Sequence, residues 1–507
     1  GVALADNLFA GDLAGFRKVD AQLPDHPPLG RLWIGLCHEL AFILSPPVDK
    51  TVPYSFTCAR TAPATAFALL VFVVGLYASR WYGRWGGAAA ALAVVLMPRV
   101  FGHAHLAALE TMVNLSCTAV VLYVADRFGI DKASWQLVTT GRAVQMAAVG
   151  GVLLGLALLT KVQAILLPIP IAVLALVYLR RRAVPLLAVW GLTGVAVFFL
   201  FWPYMWKTPV VHLQEYLGRT TSRSTLYVWY FGQAVPDREV PWHYPWLMFL
   251  ATVPVGLHAL GFCGLFGPEK PAWRSPRELL ILACTLFPLC LFSIPGIAVY
   301  DGERLFSFVF PLWAVLIGRG AENARRWALS RTSPRWTAVG WGAFFAAQSY
   351  GLWIMAPCWL SYYNLAVGGL PGAAKMGLEI SYWGDGVTRT FLRDVAAKVP
   401  PGTRIAAIPS LYESQWPELW RQAPDLKRRN VQYVPWKDNA PRPSYVLLFA
   451  RPEYLPPEFR GPIDERRIVT VVYRQGVLLA ALVKEPLVIP PLSKGGQGGS
   501  GEAIAEP

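Results

Sequence analysis

Residues 165–202 read ILLPIPIAVLALVYL (165–179), Arg180-Arg181-Arg182, then AVPLLAVWGLTGVAVFFLFW (183–202). Two apolar runs without a single charge are separated by three consecutive arginines. A helix needs roughly 20 apolar residues to cross ~30 Å of hydrocarbon. Guanidinium groups do not enter that layer cheaply, so the segment reads as two membrane helices joined by a turn held at one surface. Similar runs occur at 61–76, 86–97, 106–124, 146–159, 246–266, 279–294, 305–317 and 336–354. Together they predict roughly ten spans by the length criterion.

The composition agrees: 55% hydrophobic residues against 15% charged, with a mean hydropathy of +0.40. That much apolar surface excludes an ordinary soluble domain. The seven cysteines (Cys37, Cys58, Cys117, Cys263, Cys284, Cys290 and Cys358) form no CxxC pair or metal-ligand spacing and read as inert apolar residues.

The formal charge of +15 would suit nucleic acid or anionic lipid, so its distribution decides. With loops alternating sides, one set carries Arg80, Arg84, Arg127, Lys132, Arg142, Arg180 to Arg182, Lys270, Arg274, Arg277, Arg319, Arg325, Arg326, Arg331 and Arg335. The other carries only Arg99, Lys161, Lys207, Arg219, Arg223, Arg238 and Arg304. The positive-inside rule makes the first set cytoplasmic. Residues 1–57, 99–110, the long loop 203–244 and everything after 355 then face outward, and no nucleic-acid partner is needed.

The expected organisation is a first outer loop (1–57) with an interfacial helix at 29–44, a transmembrane domain (58–360) and a small outer α/β domain (361–485). A Gly-rich tail (486–507) is expected to be disordered. Within the α/β domain 388–399 reads as a helix, and 403–408, 444–450, 466–474 and 476–484 as strands. The start lacks a Met and an apolar span, so a first helix is expected upstream.

Polar clusters at a membrane edge are costly unless paired or used. Four fall on the outer side. Asp25-His26 precedes Pro27-Pro28, whose prolines start a helix but do not account for the acid and the imidazole. Arg99, His103, His105 and Glu110 lead into a span, with mutual pairing as the alternative. Lys161 and Arg304 are isolated cations; they either snorkel or grip a phosphate, Arg bidentately and Lys as a point charge. Trp242, His243 and Tyr244 close the long loop; they either stack on sugar or anchor the interface. Sugar transfer from a phosphate-linked lipid needs a carboxylate to take the acceptor proton and cations to stabilise the departing phosphate. GxGxxG and GxxxxGK[ST] are absent from any strand-to-helix context.

The series DHPPLGRL (25–32), PRVFGHAHLAALET (98–111), LLTK (158–161), PWHYP (241–245), YDGERLFSFVFP (300–311) and YYNLAVGGLPGA…SYWGD (362–385) resembles bacterial members of the dolichyl-phosphate-mannose protein mannosyltransferase family. These are GT-C membrane glycosyltransferases, alongside the lipid A aminoarabinose transferases. The resemblance implies an all-α polytopic membrane domain of GT-C type with a small C-terminal extracytoplasmic α/β domain. It implies sugar transfer from a polyprenyl-phosphate donor to an acceptor hydroxyl on a glycolipid, glycan or protein, with inversion, at the periplasmic face of the bacterial inner membrane. Glu110 and Asp25 map onto its acidic positions. His26, Arg99, Lys161 and Arg304 map onto donor-phosphate contacts, and His103, His105, Trp242, His243 and Tyr244 are candidate acceptor or sugar contacts. The family's principal base, an Asp-Glu pair after the first span, falls upstream of Gly1. No cofactor is assigned, and a divalent metal is left open. The competing readings are a transporter or lipid flippase, which would carry charges in mid-span or two related halves, and a non-catalytic membrane subunit.

Overall fold

The 165–202 stretch forms the helices Pro168–Leu179 and Ala183–Leu200, joined by one 3-10 turn at Arg180–Arg182. They belong to a computed structural model that describes residues 1–46, 54–128, 139–221, 224–267, 271–411, 415, 419, 423–436, 443–461 and 463–485. The expected tail at 486–507 lies outside the described residues. The chain is mostly helical, with a small sheet region near its C-terminus.

Among the described residues three helices are long and apolar enough to cross a membrane: Phe56–Val95, Thr140–Thr160 and Val162–Leu200. A pair bent by 109°, Tyr244–Thr252 and Val255–Leu265, makes a fourth if taken as one. This measure falls short of the roughly ten spans read from run lengths, for three physical reasons. The 40-residue and 39-residue segments each contain two apolar runs. In the first, Gly83 adopts φ 82° and leaves helical geometry. The chain folds back there, so that a Cβ on Gly75 would lie 3.1 Å from that of Ala91. Pro276–Phe292 and Pro334–Gln348 have 17 and 15 residues, short for ~30 Å of hydrocarbon. Val309–Leu329 carries Arg319, Glu322, Arg325 and Arg326 in its second half.

The bundle packs through small residues. A Cβ on Gly86 would lie 3.1 Å from the Gly318 carbonyl, and Gly264 lies against the Leu316 carbonyl. Such close backbone approach is how helices associate where solvent supplies no hydrophobic drive. Phe72, Val177, Leu192 and Leu200 point outward and are more than half exposed, as expected of a lipid-facing surface.

The bent pair breaks at Val253-Pro254, and the break leaves carbonyls without helical partners. Asn364, from the YYNLAVGG motif, donates its Nδ2 to the Leu250 and Val253 carbonyls at 2.7 Å each, and its backbone N–H to Ala251 at 2.8 Å. His258 donates Nε2–H to the Phe249 carbonyl at 3.2 Å. These side chains account structurally for a motif asparagine and a mid-helix histidine.

The Pro28–Leu44 helix ends in exposed Leu40, Ile43 and Leu44. Near the C-terminus, β3 (Arg404–Ile408), β4 (Gln432–Tyr433), β5 (Tyr445–Phe449), β6 (Ile468–Arg474) and β7 (Val477–Lys484) form a mixed sheet ordered β4-β3-β5-β7-β6. Alternation along β5 and β7 divides the two faces. Leu447 and Leu482 meet Phe391 and Val395 of the Arg389–Lys398 helix, while Val446, Leu448 and Val483 meet Leu455 and Phe459. The loop read at 203–244 contains a hairpin of β1 (Tyr227–Tyr230) and β2 (Gln233–Pro236), turned at Phe231-Gly232.

Candidate functional site

Glu110 is the first residue of the Glu110–Phe128 helix, and Lys161 caps the end of the Thr140–Thr160 helix. An acid at a helix start and a cation at a helix end both suit the backbone dipole. Lys161 Nζ donates to Glu110 Oε1 at 2.7 Å, and Arg304 Nε donates to the same oxygen at 2.8 Å. The other oxygen, Oε2, is buried with no hydrogen-bond partner among the described residues. Glu110 and Lys161 are 2% and 7% exposed, whereas the Arg304 side chain is 20% exposed. Two cations share one carboxylate, and the more open of them reaches the surface.

Arg304 is aimed by its own loop. Asp301 and Gly302 have φ of 55° and 62°, the left-handed turn that a D-G pair favours. Asp301 Oδ2 accepts from Arg304 Nη1 at 2.9 Å and from Trp383 Nε1 at 3.3 Å; Oδ1 accepts from Arg451 Nη2 at 3.1 Å. The guanidinium lies 4.6 Å from the centre of the Trp383 ring, a cation–π arrangement.

A second buried pair lies alongside. Glu303 accepts from Arg99 Nη1 at 2.6 Å and from the Tyr382 hydroxyl at 3.1 Å. Arg99 Nε donates to the Tyr362 carbonyl at 3.0 Å, and His103 Nε2 lies 2.9 Å from the Tyr382 hydroxyl. Burial holds the His103 imidazole below its ordinary value, which favours the neutral ring. Farther out, Glu379 is 1% exposed, and neither oxygen has a hydrogen bond among the described residues. Burial, reinforced by Glu453 and Asp301, pushes its carboxyl well above the usual range.

Of the residues singled out from the sequence, Glu110, Lys161 and Arg304 meet directly. Asp25 and His26 pair with each other at 3.1 Å and are each about a third exposed. No bond joins them to Glu110 among the described residues, but their helix reaches the neighbourhood. A Cβ on Gly30 would lie 2.7 Å from Leu109 Cδ2 and 3.4 Å from the Thr160 carbonyl. Arg31 holds this turn by donating to the His26 carbonyl at 2.7 Å and to Asp20, which also accepts from Trp202 Nε1 at 2.8 Å. Asp12 is a helix cap, accepting from the Gly15 amide at 2.8 Å.

Five other residues singled out from the sequence have contacts or exposure of their own. Arg99 is 2% exposed and engaged by Glu303. Tyr244 is fully buried, and its hydroxyl accepts from the Gly302 amide at 3.0 Å, which supports the Arg304 loop. His105 is taken up by the Phe101 carbonyl at 2.8 Å and by the Trp359 ring. His243 bonds the Tyr230 hydroxyl at 2.7 Å. Trp242 is 64% exposed. Asp301, Glu303, Tyr382, Trp383 and Arg451 were missed, although YDGER and SYWGD carry four of them. No group of three or more His, Cys, Asp or Glu among the described residues is arranged to hold a metal ion.

No protein-family model matches the chain, and no curated protein does. Solved structures resemble it. ArnT from Cupriavidus metallidurans in the apo state is 16% identical, with 90% of this chain and 87% of that one covered and a TM-score of 0.48. The same protein bound to undecaprenyl phosphate gives 17%, 90%, 88% and 0.46. The Archaeoglobus fulgidus oligosaccharyltransferase, tethered to an acceptor peptide containing the NVT sequon, is 12% identical, with 83% of this chain and 52% of that one covered and a TM-score of 0.39.

Proposed function

We propose that this chain is a membrane glycosyltransferase that moves a sugar from a polyprenyl-phosphate donor to an acceptor hydroxyl at the outer face of the bilayer. The observation that carries the reading is the single Glu110 oxygen holding Lys161 and Arg304 side by side at the edge of the bundle. Pre-placed cations in a partly dry site stabilise charge that develops on a departing phosphate. A phosphate arriving there has Arg304 as its accessible donor and Lys161 as the charge behind it.

The acceptor oxygen attacks the anomeric carbon, the bond to the phosphate oxygen breaks, and the polyprenyl phosphate leaves with both bonding electrons. One displacement inverts the anomeric centre. The acceptor proton passes to a carboxylate. Asp25, half-buried beside His26 on the segment that reaches Leu109 and Thr160, is the described residue we assign to that step. Glu110 keeps the two cations together, and Arg99 with Glu303 positions the Arg304 loop. Residues 58–360 form the membrane domain, with its shorter helices crossing as members of the bundle, and residues 361–485 form an outer domain.

The test is transfer of label from radiolabelled polyprenyl-phosphate sugars in proteoliposomes, with the product anomer read by NMR. Arg304→Ala lowers turnover by about a hundredfold, the cost of one stabilising donor. Unchanged turnover in that variant, or a retained anomer, overturns the reading.

A further inference from the structure

At the opposite end of the bundle lies a cleft that the transfer reaction does not use. Tyr123 and Arg127 line it from the far end of the Glu110–Phe128 helix, and Ala143 to Gly150 from the start of the Thr140–Thr160 helix. Tyr123 is thirteen residues along its helix from Glu110, roughly 20 Å at 1.5 Å per residue. The other walls are the end of Pro168–Leu179 and the beginning of Ala183–Leu200. The cleft is shallow and open to one side. Val124, Ala147, Ile171 and Leu187 make its lining overwhelmingly apolar.

Two polar features interrupt that lining. Trp190 is 7% exposed, and its indole Nε1–H is buried without a hydrogen-bond partner among the described residues. A buried N–H is costly to leave unmet, so an acceptor supplied from outside the chain would satisfy it. The second feature is charge. Arg127 lies within the lining, Arg142 precedes Ala143 and is exposed, and Arg180, Arg181 and Arg182 form the exposed turn between Leu179 and Ala183, two residues of the wall. Arg127 is partly engaged, by Asp126 at 3.8 Å and by the Tyr123 ring at 4.9 Å, and Asp126 also accepts from Trp81 Nε1 at 2.9 Å, so the exposed arginines of the turn supply the larger share of unneutralised charge.

We propose that this cleft binds an anionic phospholipid of the bilayer, with one acyl chain along the apolar walls, an ester carbonyl accepting from Trp190 and the phosphate on the arginines at the rim. An apolar slot with one buried donor in its wall, one arginine in its lining and exposed arginines next to its wall residues in the chain suits a lipid's chain, ester and phosphate. A soluble anion would find no use for the slot, and a zwitterionic lipid would gain nothing from the arginines. The site lies in the leaflet opposite the Glu110 cluster, so it is separate from donor binding.

Native mass spectrometry of the delipidated full chain tests the proposal, with dioleoyl phosphatidylglycerol, dioleoyl phosphatidylcholine, undecaprenyl phosphate and glycerol 3-phosphate as probes. One phosphatidylglycerol is retained saturably, phosphatidylcholine binds far more weakly, and glycerol 3-phosphate does not bind. Arg181→Gln with Arg182→Gln, in an exposed turn where folding is not at stake, weakens phosphatidylglycerol about thirtyfold, at roughly a factor of five per cationic side chain. Ala147→Phe fills the slot and abolishes retention. Trp190→Phe keeps the slot and weakens binding several-fold. Equal affinity for the two phospholipids, full affinity in the arginine variant, or undecaprenyl phosphate as the preferred ligand overturns the proposal.

Discussion

Glu322 and Glu110 each hold two cations, and only Glu110 makes a candidate site. Glu322 accepts from Arg325 at 2.9 Å and from Arg326 at 2.8 Å, partners three and four residues along the same helix. Glu110 accepts from Lys161 and Arg304, which are 51 and 194 positions away. The Arg325 and Arg326 side chains are 31% and 63% exposed, so water already solvates the first triad. Lys161 and Arg304 are 9% and 20% exposed by the same measure, and the fold must bring them together against a desolvation cost. A local triad decorates a helix end, whereas a long-range one needs the whole chain to exist.

The largest effect that sharpens this contrast is expected at Glu110. Glu110→Gln leaves the buried Lys161 without its carboxylate partner and Arg304 with Asp301 alone, and costs about 3–5 kcal/mol. Chemical unfolding in detergent reads that cost, and an unaltered midpoint would erase the distinction. Trp383→Ala removes the ring behind Arg304. Sugar transfer is expected to show KM raised about tenfold, from cation–π support of up to ~2 kcal/mol. Kcat should change little, and Trp383→Phe should recover most of the loss; equal damage from both variants would mean that the ring only fills space.

A third test concerns Asp385, which ties the SYWGD turn to the Leu360 amide at 3.0 Å. Burial raises its carboxyl from 3.8 to about 6. The folded state therefore holds the proton more tightly than the unfolded chain does, and this contribution to stability is full below pH 3.8 and lost as pH rises through about 6. Asp385→Asn keeps an acceptor for Leu360 and should flatten the fall in Tm across that window; an identical slope in the variant would remove Asp385 from the account. The smallest effect belongs to the local triad. Arg326→Ala should shift stability by less than about 1 kcal/mol, and a larger shift would show that exposure is a poor guide to these pairs.

The same contrast explains what the sequence made legible. The helix read at 388–399 forms at Arg389–Lys398 because Thr388 caps it, accepting from the Phe391 amide. The last two strands were readable from alternation and a tight turn. All of this is information within a dozen residues. Arg99 and Glu303 are 204 positions apart, and nothing in PRVFGH says that its arginine is spoken for. Tyr244 looked like a loop aromatic because burial is decided by elements that pack on it from elsewhere. β4 has two residues, too few for any alternation to be seen. The β1–β2 hairpin did leave a signal: Phe231-Gly232, both at positive φ, sits between alternating strands.

The acid of the Arg304 loop is held from the C-terminal region by Trp383 and by Arg451, which lie on either side of β3 in the chain. Anyone building hybrids from such proteins would meet that fact at once. Exchanging the sheet for a foreign one severs Arg451 from Asp301 even when SYWGD is kept, so a working graft has to transplant both anchors or re-engineer the loop they hold.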